Sequence, residues 1–344
     1  MTGNGTIRVL VVDDSLFMRA AIKKTLTDRG NFTIVGQARD GRDAIDKVVE
    51  LKPDVITMDY NMPRMNGAQA IREIMKVRPT PVIMFSAHTR QGARETFEAL
   101  AAGAVDFCTK PHGEVSADLS GIADELVTKL TIATRARPRT TAPIKAQKPD
   151  IPVVFTYPPS GPRVVIVGIS TGGPAALSVL IPSLPAKTRF ATVVVQHMPA
   201  KFTSALAERL NSHSAVQVRE AVDGDRPEPG VVLIAPGGRH LEVDDKGIFR
   251  LHDAAPVHGC RPAVDVTMKS AARVYGRRTM GVIMTGMGKD GTAGMAAVKR
   301  AEGRTLAQDR ETSVIFGMPK AAIAAGVVDE VVPLEEIAAR LRYL

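Results

Sequence analysis

Short runs of β-branched and aliphatic residues alternate along this chain with stretches whose apolar positions recur every three to four residues. In the first third, residues 7–12, 54–58, 81–85 and 104–107 are such runs, too apolar to leave a face in water. That is how parallel strands covered on both sides read. Helical periodicity covers 16–28, 42–51, 67–77, 91–102 and 114–130. The alternation predicts a (βα)₅ unit, a parallel sheet with helices on both faces. From residue 163 the pattern resumes. A buried strand begins at Arg163, Pro174 opens a helix over 175–184, and further strands lie at 191–196 and 279–284. A second, doubly wound and mostly parallel α/β domain is therefore expected at 163–344, after a first domain at 1–130.

Residues 131–162 break the pattern. They carry Pro138, Pro143, Pro149, Pro152, Pro158, Pro159 and Pro162 with few large apolar side chains. Arg135, Arg137, Arg139, Lys145, Lys148 and the adjoining Arg163 face a single acid, Asp150. The segment reads as an extended, basic linker. Its charge could steer the protein towards acidic surfaces, but solubility alone accounts for it.

The polar residues gather where strands end, and in parallel sheets those ends face the binding crevice. The strand at 163 runs into Gly168-Ile-Ser170-Thr171-Gly172-Gly173, a Gly-x-Ser-x-Gly turn that lifts a hydroxyl at a helix N-terminus. Spelling alone would make this an ordinary glycine-rich turn. The strand at 191 ends at His197, and the strand at 279 ends in a glycine-rich loop holding Asp290. A hydroxyl, a base and an orienting carboxylate from three strand ends predict a Ser170–His197–Asp290 triad. The order Ser, His, Asp differs from that of α/β-hydrolases. Alone, His197 would pass for a structural histidine and Asp290 for a cap on the helix near Gly291. The other histidines show no metal-ligand spacing, so no zinc site is expected.

In the first domain, Asp13 and Asp14, Asp59, Ser86 and Lys110 stand at four strand ends. The carboxylates suit Mg²⁺, and the hydroxyl and ammonium suit phosphoryl oxygens. This set resembles the receiver domain of two-component response regulators, a flavodoxin-like fold. The resemblance implies that Asp59 is the phospho-acceptor and that Asp13, Asp14 and Asp59 hold Mg²⁺. It makes Ser86, Phe107 and Lys110 the switch residues, and the Lys110–Pro111 peptide a candidate cis bond.

A receiver ahead of Ser170, Gln196-His197-Met-Pro, Ala235-Pro-Gly-Gly238, Cys260-Arg-Pro-Ala-Val-Asp265 and Thr-Gly-Met287-Gly-Lys-Asp290-Gly resembles the chemotaxis protein-glutamate methylesterase and glutamine deamidase family. The resemblance places the backbone N–H of Met287 in an oxyanion hole, and Thr171 beside it. It implies methylated chemoreceptors as substrate, a chemotaxis histidine kinase as phosphodonor, Mg²⁺ for phosphorylation only, and no cofactor for the esterase. It also implies that the unphosphorylated receiver covers the crevice holding Ser170.

Composition sets limits. Two domains with their own cores fit 344 residues, and no apolar run is long enough to span a bilayer. The N-terminus lacks a signal-peptide core. Cys108 and Cys260 fall in different expected domains, so a cytoplasmic chain without disulfides is expected, with both thiols as small buried hydrophobes. It is expected to be a monomer, recruited to receptor arrays without membrane insertion. The net charge of +9 keeps a DNA-binding output in view. Against it, the second half is too long for a winged helix, and 264–275 has only Lys269 and Arg273 as cations. An adaptor with a silent esterase fold would not need Ser170, His197 and Asp290 together.

Overall fold

The computed structural model describes residues 6–87, 89–110, 119–136 and 163–342. The chain forms two compact units, Met1–Pro143 and Ile144–Leu344. Pro111, the start of the helix expected at 114 and most of the expected linker lie outside the described residues.

The first unit runs β1 (Ile7–Val12), α1 (Leu16–Asp28), β2 (Phe32–Ala38), α2 (Gly41–Leu51), β3 (Val55–Asp59), α3 (Gly67–Val77), β4 (Val82–Ser86), α4 (Arg90–Ala102), β5 (Asp106–Thr109) and α5 (Ala123–Ala133). All strands pair in parallel in the order β2-β1-β3-β4-β5, so β1 and β3 flank the point where the winding reverses. The central strands β3 and β4 are buried at every position. Edge strand β2 is half-exposed and carries Gly36 and Gln37, so its pattern gave no strand signal. The last helix ends at Ala133, beyond the expected boundary at 130.

The second unit runs β6 (Arg163–Ile169), α6 (Gly173–Leu180), β7 (Phe190–Gln196), α7 (Phe202–Ser212), β8 (Gln217–Glu220), β9 (Val231–Ile234), β10 (His240–Val243), β11 (Phe249–His252), α8 (Val264–Tyr275), β12 (Thr279–Ile283), α9 (Thr292–Arg300), β13 (Arg304–Gln308), α10 (Met318–Ala324), β14 (Glu330–Val332) and α11 (Leu334–Arg342). Seven strands form a parallel sheet in the order β14-β13-β12-β6-β7-β9-β8, and β10–β11 is a separate antiparallel hairpin. Helix α6 packs on α7 and α11, and α9 packs on α8 and α10, giving two helical layers. The core between them includes Val164, Ile166, Val193, Val264, Met268 and Met295. Helix α6 is shorter than expected because Pro182 lacks the N–H to continue it, and a 3₁₀ turn follows over Ile181–Ser183.

The winding reverses at β6, with β7 on one side and β12 on the other. A crevice is expected where such neighbours run apart at their C-terminal ends. Ser170, His197 and the Asp290 loop follow those three strands.

Candidate functional site

In the second unit the turn around Ser170 is tight. Gly172 sits at φ +78, and a Cβ there would lie 2.6 Å from Val314 Cβ. The Ser170 N–H donates to Thr285 O at 3.0 Å, and Ser170 O accepts from Gly173 N at 2.8 Å. Gly286 presses on this turn from the loop after β12, since a Cβ on it would fall 2.7 Å from Ser170 Cβ. Met287 and Thr171 therefore flank Ser170. Their backbone N–H groups have no acceptor among the described residues. Thr285 braces the turn further, its hydroxyl donating to Thr171 O at 2.9 Å.

His197 Nε2 lies 2.7 Å from Asp290 Oδ2. Its Nδ1 faces Cys260 Sγ at 3.5 Å rather than Ser170, to which no hydrogen bond runs among the described residues. An anionic Asp290 accepts, so the neutral ring carries its proton on Nε2 and presents the Nδ1 lone pair. Burial alone would lower the His197 pKa, but the hydrogen bonds to Asp290 and Cys260 outweigh it and lift the value to about 9.

Asp290 is 2% exposed and fully partnered. Oδ2 also accepts the Val264 N–H at 2.7 Å, and Oδ1 accepts those of Asp265 at 3.0 Å and Gly291 at 2.9 Å. Burial raises its pKa, yet the donors, His197 first, hold the net value below the usual carboxylate range. The expected alternative, a cap on the following helix, is not what forms: Gly291 caps α9 without a side-chain bond. Asp290 instead caps the first turn of α8. Asp265 returns the arrangement by accepting the Gly294 N–H of α9 at 2.6 Å.

His258 Nε2 reaches Asp265 Oδ2 at 3.1 Å, which brings His258, Asp265 and Asp290 within metal-binding distance of one another. Four donors already occupy the lone pairs of Asp290, so the trio is a hydrogen-bonded network. Of the two cysteines, Cys108 is buried as expected, whereas Cys260 is half-exposed and touches the His197 ring. Sequence reasoning therefore missed Cys260, and with it Gln196, Thr285 and the α8 N-terminus. The single trace was their presence in the motif blocks.

In the first unit Asp13, Asp14 and Asp59 bring carboxylate oxygens within 4.8 Å of one another. Lys110 Nζ lies 2.9 Å from Asp59 Oδ1 and 3.2 Å from Asp13 Oδ2. Burial drives the Asp59 carboxyl up to about 6, against the pull of Lys110, and burial also raises Asp13. Crowded, desolvated carboxylates of this kind fit a hard cation. Ser86 Oγ is turned to α4, 2.9 Å from Gly92 O and 2.6 Å from Thr96 Oγ1. Phe107 is buried, with Lys129 Nζ 5.1 Å from its ring centroid and bonded to its carbonyl.

Comparison with known proteins agrees with this layout. Residues 165–341 match the CheB methylesterase family and residues 9–117 the response regulator receiver domain. A protein-glutamate methylesterase/protein-glutamine glutaminase of Symbiobacterium thermophilum is 47% identical over 96% of this chain and 95% of its own. One from Thermotoga maritima is 47% identical over 97% of both chains. The solved Thermotoga maritima CheB methylesterase catalytic domain superposes with a TM-score of 0.52 at 46% identity, covering 53% of this chain and 98% of its own. An output domain built for DNA binding is thereby replaced by a methylesterase domain, and the chain belongs to the protein-glutamate methylesterase/protein-glutamine glutaminase family.

Proposed function

We propose that this chain hydrolyses glutamyl methyl esters on chemoreceptor helices, and deamidates glutamines there, under control of Asp59 phosphorylation. The observation that carries the reading is His197: Nε2 is fixed on a buried carboxylate, and Nδ1 meets only the Cys260 thiol, at the end of the strand paired with the one that leads to Ser170.

Ser170 Oγ attacks the side-chain carbonyl while its proton passes to His197 Nδ1. Asp290 stays ionised and stabilises the imidazolium through Nε2–H. The oxyanion lies against the unpaired N–H groups of Thr171 and Met287. His197 returns the proton to departing methanol, or to ammonia from glutamine, and the acyl group is held on Ser170. Water then loses its proton to Nδ1, adds to the acyl carbonyl and releases glutamate with Ser170 restored. Both substrates present the same carbonyl, so one set of residues serves both.

In the receiver, Asp59 accepts the phosphoryl group from a histidine kinase. Asp13, Asp14 and Asp59 would hold Mg²⁺, which when bound neutralises phosphoryl charge. Lys110 is already placed on Asp59, and Ser86 must leave Gly92 O to reach the same oxygens. In this reading the chain resets receptor methylation during sensory adaptation.

The test measures methanol release from methylated receptor membranes. Ser170→Ala and His197→Ala should each lose about 10⁴-fold or more. A small phosphodonor with Mg²⁺ should accelerate the wild type and leave Asp59→Asn at its basal rate. A Ser170→Ala protein that releases methanol at the wild-type rate would end the triad reading.

A further inference from the structure

We infer that Gln196 is a positioning residue that sets the spacing between Ser170 and His197. The inference rests on the reading of those two as nucleophile and base. Gln196 is the last residue of β7 and is 2% exposed. Its Nε2 donates to Ser170 O at 3.0 Å and to His197 O at 3.1 Å. One amide nitrogen therefore joins the backbone of the nucleophile to that of the base.

Its place in the sheet explains why such a link is needed. The β6–β7 ladder ends with the pair Ile169 and Gln196, and the last backbone bond runs from His197 N to Ile169 O at 3.1 Å. Ser170 and His197 are the first residues past the ladder, where adjacent strands are free to diverge. Past that point the Gln196 amide spans the gap.

The orientation of the amide follows from its partners. Turned over, Oε1 would face two carbonyl oxygens, a contact with no hydrogen in it. As it stands, Oε1 is buried and has no partner. It leans on the first residue of α6, where a Cβ at Gly173 would come within 1.9 Å of it. An unpaired buried oxygen is a standing cost that an apolar side chain would avoid. The residue keeps that cost and gains two donors aimed at the two functional backbones. The positive end of the α6 dipole offsets part of it.

The experiment uses the full chain and a small fluorophosphonate, which reacts at an activated serine without receptor docking. Gln196→Met keeps the volume and removes both donors, and Gln196→Glu keeps the shape and puts acceptors in their place. Expected are labelling rate constants lowered about 10- to 100-fold in Met and further in Glu, with the labelled fraction near one per chain. With receptor membranes, kcat should fall and KM hold. A role in folding alone would lower the labelled fraction and leave the rate constant of the folded molecules unchanged, and that result overturns the inference. So does a Glu variant as fast as wild type. Labelling of Ser170→Ala would instead refute the nucleophile assignment beneath it.

Discussion

Replacing Asp290 by asparagine should move the pH dependence of the enzyme as well as its rate. The carboxylate accepts four hydrogen bonds, two on each oxygen. An asparagine must turn its NH₂ towards one pair, so either His197 Nε2–H and Val264 N–H or the Asp265 and Gly291 N–H groups lose their acceptor. The anion beside His197 disappears in both cases. His197 sits at about 9 with Asp290 and Cys260 in place, against burial that pushes it down. Without the anion, burial has less to oppose it, and the acid limb should fall to about 6.5 or below. A shift of about 2.5 units corresponds to roughly 3 kcal/mol of lost imidazolium stabilisation.

The consequence is a deficit that depends on pH. At pH 7 roughly 1% of wild-type His197 is neutral, against about three-quarters in the variant. A plateau loss of about 10⁴-fold, usual for a misoriented base, would then shrink to about 10²-fold at pH 7. The assay is fluorophosphonate labelling from pH 5 to 10, supported by methanol release. Stability should follow the same sign. The folded pKa of His197 is above its unfolded value, so its contribution is full below about 6.5 and lost as pH rises through about 9. If the two profiles share one acid limb, or the variant's limb lies higher, Asp290 does not set the base and the argument fails.

Two further outcomes follow from other groups. Cys260 touches His197 Nδ1 while Cys108 is fully buried, so a small methanethiosulfonate should inactivate the wild type, spare Cys260→Ala, and be reversed by a thiol; equal inactivation of both proteins would remove Cys260 from the explanation. Asp59 is raised to about 6 in the fold, so its burden is absent below about pH 4 and complete above about 6; at pH 7 Asp59→Asn should stabilise the receiver transition by about 1–3 kcal/mol, and Mg²⁺ should raise only the wild type, as read by calorimetry.

Strands covered on both faces declare themselves, which is why β1, β3, β4, β6, β7 and β12 were legible as apolar runs. Edge strands such as β2 mix Thr, Gly and Gln with apolar residues because one side meets water, and they merge with loops. The candidate residues Ser170, His197 and Asp290 stood out for a related reason: a strand end names the crevice, so they needed only their neighbours in sequence. The partners of those residues were not, because they arrive from elsewhere in space. Asp290 spells a cap for α9, yet the helix it caps starts at Val264, 26 positions earlier, and nothing local announces that.

That displaced cap bears directly on the chemistry. The carboxylate beside His197 is held by the starts of two helices, since it accepts from α8 while Asp265 at the head of α8 accepts from Gly294 of α9. Neither helix can shift without disturbing Asp290, and the N–H groups that fix its position also keep it ionised. In the proposed mechanism, a base paired with so firm an anion takes the serine proton with a large driving force but is mostly protonated at neutral pH. By a Brønsted coefficient near one-half, 2.5 units gain about 10- to 20-fold in intrinsic reactivity and lose about 10²-fold in population at pH 7. The resting arrangement is thus slower at pH 7 than a base tuned near neutrality. Cys260 contributes to that elevated value from the nitrogen that the proposed mechanism brings to Ser170, so whatever puts Ser170 at Nδ1 in the thiol's place relieves part of the penalty as it completes the proposed triad.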